Sequence, residues 1–229
     1  GKPLIKILNK ELLLLTYEKV KKIFREKDIY VFTESDKVKK TLSKKINNIL
    51  LFDGKFRNGT ERAAYGLKYI KKKYKAAILI SCDNPFILRS SIIKCVETYN
   101  LIKNKNEYCG STIHVKNNNL NIFRNKNIAK IVLDQKNDVM YLSRSSIPYN
   151  YKKNNHYFTH HGPVCIKIKN LKMYSNSLDT PLQLAEDNEW LKMLEKGFKI
   201  RSSLVKKINP EINTYEDLNT YKKKMKIND

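Results

Sequence analysis

Residues 76–85, Ala-Ala-Ile-Leu-Ile-Ser-Cys-Asp-Asn-Pro, are the stretch on which the fold turns. Five apolar residues in a row, preceded by a lysine-rich segment and followed by a turn-forming Asn-Pro, predict a buried parallel strand. Outward on either side the pattern switches to helix. A helix is expected from about Thr60 to Tyr74, and another follows Arg89. Such alternation predicts an α/β fold with a doubly wound, mostly parallel sheet. In sheets of that kind ligands bind beyond the carboxyl ends of the strands. Ser81 to Pro85 therefore emerge on the binding edge, and Asp83 becomes the first residue to consider.

The N-terminal part repeats the alternation. Glu11 to Lys27 reads as an amphipathic helix burying Leu12, Leu15, Val20, Ile23 and Phe24, and Asp28 to Thr33 as a strand. Ser35 is placed to cap a second helix carrying Val38, Leu42 and Ile46, before a short strand at Ile49 to Phe52. The middle differs. Tyr108 to Val115, Ala129 to Asp134, Val139 to Leu142 and Tyr157 to Ile168 look like strands, with a polar loop at Asn117 to Asn127 and a connector at Lys152 to Asn155. These predict an antiparallel insertion over about 108–168, one wall of a cleft within a single domain spanning 1–229. Thr180-Pro181-Leu182-Gln183 is a capping box with proline at the first helical position. Its helix should run to Lys196 and stop at Gly197. A last strand is expected at Phe198 to Val205 and a closing helix at Thr214 to Met225.

The chain has 46 Lys and Arg against 22 Asp and Glu, a formal charge of +24 over 229 residues. The excess is spread along the whole length, lysine dominates, and no zinc-finger, basic-zipper or RNP-type motif accompanies it. That argues for compositional bias and against a specific nucleic-acid partner, while favouring an anionic substrate by steering. No apolar run approaches the roughly 20 residues of a membrane span, and no secretory signal is visible. Cys82, Cys95, Cys109 and Cys165 show no CxxC or metal-ligand spacing, so they read as reduced thiols of a cytoplasmic protein.

Six places can carry chemistry. Gly1-Lys2-Pro3-Leu4 pairs a small residue with a lysine ahead of a helix, which suits a phosphate. Asp83, at a strand end, can hold Mg2+ between nucleotide phosphates or merely cap its turn. Asn58-Gly59-Thr60-Glu61-Arg62 opens a helix with Thr60 as N-cap, so its amides and Arg62 can contact a ligand or simply start the helix. Tyr141 to Pro148 ends a strand with Arg144 flanked by the hydroxyls of Ser143 and Ser145, able to grip a carboxylate by two hydrogen bonds or simply to form a surface turn. His160 and His161 point to opposite faces of a strand and cannot easily share a metal. Glu186 and Glu189, three apart on one helical face, can bind hydroxyls or pair with surface lysines.

In this order the segments resemble the 3-deoxy-manno-octulosonate (Kdo) cytidylyltransferases, from Gly1 almost to the C-terminus. GKPL resembles the end of that family's phosphate-gripping loop, NGTER at 58–62 its Ser-Gly-Thr-Glu/Asp-Arg segment, and SCDNP its Gln-Gly-Asp-Glu-Pro. AKIVLD at 129–134 with YLSRSSIPY at 141–149 is the most specific match. The resemblance implies a nucleotidyltransferase using CTP, Mg2+ and an acidic 2-keto sugar, active as a homodimer in surface polysaccharide or lipopolysaccharide synthesis. Lys2 would bind the CTP phosphates and Asp83 the metal. Asn58, Gly59, Thr60 and Arg62 would line the cytidine side. Ser143, Arg144, His160, Glu186 and Glu189 would face the sugar acid. Departures are visible too. Asn213 stands where the family places a second metal-binding aspartate. The sugar-pocket signatures are replaced by His161-Gly162-Pro163-Val164-Cys165 and Trp190-Leu191-Lys192. The family's first strand and arginine loop have no counterpart after Gly1, so a seam is expected in the sheet. A relative with another sugar or nucleotide, or a catalytically impaired binding protein, fits these departures as alternatives.

Overall fold

The computed structural model describes residues 2–7, 9–152, 156–209, 212 and 216–219. The chain forms two compact units, one from residues 1–55, 81–89 and 209–229, the other from 56–80 and 90–208.

In the first unit a single 3-10 turn at Lys2–Leu4 leads into a hairpin of β1 (Lys6–Ile7) and β2 (Lys10–Glu11). Asn9 turns it with φ +58°, a left-handed conformation that asparagine tolerates. Helix α1 (Leu12–Lys21) follows at once, its Leu12 amide donating to the Ile5 carbonyl at 2.9 Å. It is shorter than the predicted 11–27, because the amides of Lys22, Ile23 and Phe24 fold back onto the carbonyls of Lys19 and Val20. Its buried face is Leu12, Leu14, Thr16, Tyr17 and Val20, while Leu15, Ile23 and Phe24 stay half-buried. Strands β3 (Val31–Thr33) and β4 (Ile49–Leu51) pair in parallel across α2 (Asp36–Leu42). Ser35 caps that helix as expected, its hydroxyl accepting from the Val38 amide at 3.3 Å. Ile7, Leu12, Ile212 and Leu218 form the core, with Phe86 packed against it. Residues 216–219 are helical, and the rest of the predicted closing helix lies outside the described residues.

The second unit is built on a six-stranded sheet. Its elements are α3 (Gly59–Gly66), β5 (Ala76–Leu79), α4 (Arg89–Ile102), β6 (Tyr108–Asn117), α5 (Leu120–Arg124), β7 (Lys130–Leu133), β8 (Val139–Ser143), β9 (Tyr157–Lys167), α6 (Ile168–Asn176), α7 (Pro181–Glu186), α8 (Leu191–Glu195) and β10 (Lys199–Leu204). The strand order is β10-β6-β9-β7-β8, with β5 also laid along β9. β10 pairs with β6 in parallel, and β9 runs antiparallel to β5, β6 and β7. With β8 antiparallel to β7 as well, β5, β6, β7 and β10 share one direction and β8 and β9 oppose it. The α/β class stands, but the 76–79 strand zips onto an antiparallel neighbour, from Ala76 opposite Lys167 to Leu79 opposite Val164, and is half-buried. Its parallel relation to β6 is indirect, through β9. Where β6 crosses β9 the sequence has Gly110, because a Cβ there would sit 2.1 Å from the Cys165 carbonyl oxygen.

Two further predictions need correction. The 117–127 segment is not all loop: Asn119 caps α5, its Oδ1 accepting from the Asn121 amide at 2.9 Å. The helix begun by the Thr180 box does not continue to Lys196. Asp187 takes a left-handed φ of +45°, Asn188 Oδ1 accepts from the Trp190 amide, and the chain restarts as α8. Gly197, at φ +79°, ends the second piece as expected. Ile131, Leu142, Val164, Ile166, Leu171 and Trp190 centre the core of this unit.

Candidate active site

In the first unit Lys2 and Asp83 meet. The Lys2 ammonium donates to Asp83 Oδ2 at 3.0 Å, both groups partly exposed. Two anchors hold the Asp83 turn: the Ile212 amide donates to the Asp83 carbonyl at 2.8 Å, and the Thr16 hydroxyl to that of Cys82 at 3.3 Å. Asn84 is buried and its Oδ1 has no partner among the described residues. A carboxylate beside an unspent carbonyl oxygen suits a hard divalent cation. Among the described residues no three His, Cys, Asp or Glu gather as a ready-made metal centre. A cation here would complete its shell with phosphate oxygens and water, as Mg2+ characteristically does. Asn213, the other predicted metal position, lies outside the described residues, as does Gly1.

The 58–62 segment opens α3 with a different cap from the one predicted. Asn58, not Thr60, is the N-cap, its Oδ1 accepting from the Glu61 amide at 2.9 Å. Its amide nitrogen donates to the Tyr174 hydroxyl at 2.9 Å. Thr60 is buried just inside, its backbone amide 3.4 Å from Glu189 Oε2. Burial raises the pKa of Glu189, and its bonds to Thr60 pull the other way. Gly59 has space around it: a Cβ there would touch only the Arg62 guanidinium, at 3.9 Å. Glu189 therefore belongs with the helix start, not with Glu186.

Glu186 organises the other cluster. The Ser143 hydroxyl donates to its Oε1 at 2.5 Å, and the Arg144 backbone amide to its Oε2 at 2.8 Å. The Tyr141 hydroxyl adds a bond to Oε1 at 3.4 Å. Arg144 in turn directs its Nε at the Glu186 carbonyl, 3.0 Å, and its two terminal nitrogens at the Lys126 and Asp187 carbonyls, each 3.2 Å. A guanidinium has five N–H donors. Three are so used, and one terminal nitrogen of this half-exposed side chain also lies 3.6 Å from the exposed Asp187 carboxylate, a position that another carboxylate can take. The helix break at Asp187 makes this possible, since it frees Glu186 and Glu189 to face different partners.

His160 stands apart from that cluster. Its Nε2 lies 2.9 Å from the Thr112 hydroxyl, among Leu142, Val164 and Trp190. Burial, then the neighbouring His114, lowers its pKa to about 4, so the ring is neutral at pH 7. His161 faces the other way, to the Thr159 hydroxyl at 2.9 Å. Sequence reasoning missed Tyr141, although a period of two puts it on the face of Ser143. Tyr174 lies 116 positions from Asn58 and carried no local signal.

The comparisons with known proteins bear on this geometry. A cytidylyltransferase family model matches residues 1–208. The chain belongs to the cytidylyltransferase family. Within it, the 3-deoxy-manno-octulosonate cytidylyltransferase of Protochlamydia amoebophila is 29% identical over 228 residues, covering 95% of this chain and 85% of that protein. The mitochondrial enzyme of the same name from Arabidopsis thaliana is 31% identical over 205 residues, covering 88% of this chain and 69% of that protein. Among solved structures, a CMP:2-keto-3-deoxy-manno-octonic acid synthetase complexed with CTP superposes with a TM-score of 0.87 at 20% identity, covering 100% of this chain and 92% of the other. A 4-diphosphocytidyl-2C-methyl-D-erythritol synthase from Anaerococcus prevotii gives 0.63 at 14% identity, covering 99% and 90%. At those identities the structural likeness speaks to the fold, which is the nucleotidyltransferase fold expected from the segments.

Proposed function

We propose that this cytidylyltransferase moves CMP from CTP to 3-deoxy-manno-octulosonate or a closely related 2-keto sugar acid, releasing pyrophosphate for surface polysaccharide or lipopolysaccharide synthesis. One observation carries the reading: the match to relatives named for that reaction extends over nearly the whole chain. The side-chain arrangement supports it. Lys2 supplies the positive charge for CTP phosphates, and Asp83 with Asn84 Oδ1 would hold Mg2+. When bound, Mg2+ neutralises phosphate charge on the nucleotide and pyrophosphate. Asn58, Gly59, Thr60 and Arg62 serve the cytidine side from the start of α3. Arg144 takes the sugar carboxylate in place of the exposed Asp187 carboxylate, while Glu186 keeps Ser143 and Arg144 in place.

The sugar's anomeric hydroxyl oxygen forms the new bond to the α-phosphorus as the bond to the pyrophosphate oxygen breaks. The hydroxyl proton leaves to solvent. Catalysis of this kind rests on positioning and charge neutralisation. The working form we propose is a cytoplasmic homodimer; Tyr149, Tyr151 and Leu178 are exposed apolar groups that a second copy would cover. No helix among the described residues is long and apolar enough to cross a membrane. The test is pyrophosphate release from CTP and Mg2+ with a panel of 2-keto sugar acids. Release with one of them is expected, and release with none sinks the reading.

A further inference from the structure

Lys130 is fully buried on β7, with no carboxylate among the described residues bonded to its ammonium. Its Nζ instead donates to three backbone carbonyls: Asn125 at 2.9 Å, Ile128 at 2.6 Å and Arg144 at 2.6 Å. An ammonium has three N–H donors, so all are committed. Burying a charge is expensive unless every donor is satisfied. A lysine retained here at that cost ties the 125–128 turn to the Arg144 peptide. Arg144 closes the same link from outside, through its own bond to the Lys126 carbonyl.

We propose that Lys130 is a positioning residue for the sugar-acid subsite: its ammonium fixes the Arg144 carbonyl while Glu186 fixes the Arg144 amide. The backbone of Arg144 is thus held at both its N–H and its C=O. This inference rests on the reading that Arg144 takes the sugar carboxylate. Without the ammonium, the guanidinium can still reach the sugar acid but must be ordered first, a cost that falls on binding. Burial lowers the Lys130 pKa to about 8, with Arg144 adding to the effect and Glu186 opposing it. On the flanking strands, the titratable side chains near the register where Lys130 pairs with Ser143 and Thr159 are Tyr141 on β8, and Tyr157, His160 and His161 on β9. The tyrosine pKa values are raised and the histidine values lowered, so none of these groups titrates between pH 7 and 9.5. Above about pH 8 the amine keeps two donors for three carbonyls.

The experiment is steady-state pyrophosphate release with the full chain, CTP, Mg2+ and the sugar acid that turns over, comparing Lys130→Met and Arg144→Ala. Loss of one charged hydrogen bond predicts a sugar-acid KM about tenfold higher in K130M, with the CTP KM unchanged. A folded K130M with an unaltered sugar-acid KM overturns the proposal while the Arg144 reading stands, provided R144A raises that KM. An R144A variant with unaltered sugar-acid KM overturns both. A second readout needs no variant. In the wild type the sugar-acid KM should rise above about pH 8 with no matching rise for CTP, and a flat profile from pH 7 to 9.5 rejects the role.

Discussion

Lys2 and Asp83, 81 positions apart, meet as an ion pair with Nζ 3.0 Å from Oδ2. The pair is too exposed to matter much for stability: its side chains are 37% and 21% accessible, a setting in which such contacts contribute about 1 kcal/mol or less. A function reading therefore makes an uneven prediction. Asp83→Ala should leave the melting temperature within a few degrees of wild type, yet lower turnover by about 100- to 1,000-fold, the range for removing one preorganised charge-stabilising group. Lys2→Met should act in the same direction. Calorimetry beside a pyrophosphate assay checks it, and wild-type turnover in D83A would remove Asp83 from the metal site.

Glu186 spends both carboxylate oxygens on Ser143 and Arg144. Glu186→Ala leaves the Arg144 amide and the Ser143 hydroxyl without that acceptor. Hydrogen bonds to a charged group contribute about 2 kcal/mol each, so losing one in the bound state predicts a sugar-acid KM roughly 30-fold higher. Glu189→Ala should behave differently, because Glu189 faces the Thr60 amide at the start of α3 and not the Arg144 turn. Its effect should fall on the CTP KM. A pair of saturation curves for each variant separates the two, and identical profiles would contradict the split.

That split shows where the sequence stopped being informative. Features set by a few neighbouring residues were legible: the Ser35 cap, the Thr180 box, the stop at Gly197, and a carboxylate following the 76–79 strand. Glu186 and Glu189 were misread as one face, because Asp187 in a left-handed conformation depends on which partners the two carboxylates find across the unit. The cap of α3 fell on Asn58 instead of Thr60 because Thr60 packs inward. Lys130 looks like any strand lysine until its three carbonyl acceptors, two of them on a loop and one on the next strand's end, are assembled. Likewise nothing in Ala-Ala-Ile-Leu announces an antiparallel partner almost 90 positions away.

Asp138, Arg201 and Tyr108 form a second charged group, with none of its members among the predicted site residues. Arg201 Nε lies 2.5 Å from Asp138 Oδ1, the Tyr108 hydroxyl donates to Oδ2 at 2.8 Å, and Asp138 is 4% exposed. Burial and the bond to Asp138 raise the Tyr108 pKa. Removing one member of a buried pair strands its partner, at about 3–5 kcal/mol. Asp138→Ala should lower the denaturation midpoint by that equivalent. The double variant Asp138→Ala with Arg201→Met should cost less than the sum of the singles, since the charge it leaves behind is the exposed Lys199 ammonium, 3.9 Å from Asp138 in the wild type. Additive costs in urea titrations would refute the coupling.

His114, His160 and His161 are all held neutral by burial, with pKa values lowered to about 4, about 4 and about 3 from an unfolded value of 6.5. Between pH 6.5 and 4 the unfolded chain binds protons that the folded chain does not, so stability must fall as pH falls through that window and is fully present above pH 6.5. Each histidine contributes up to about 1.4 kcal/mol per pH unit to the slope, or about 3 kcal/mol over the window. Carboxylates titrate in part of the same range, so the informative quantity is the difference between wild type and a histidine variant. His114, bonded through Nδ1 to the Ser202 hydroxyl at 2.8 Å, is the choice because it is not among the predicted substrate-facing residues. His114→Gln should be less stable than wild type at pH 7 and lose less on acidification, so that the two stability curves converge towards pH 4. Parallel curves would show that His114 is already protonated in the folded protein.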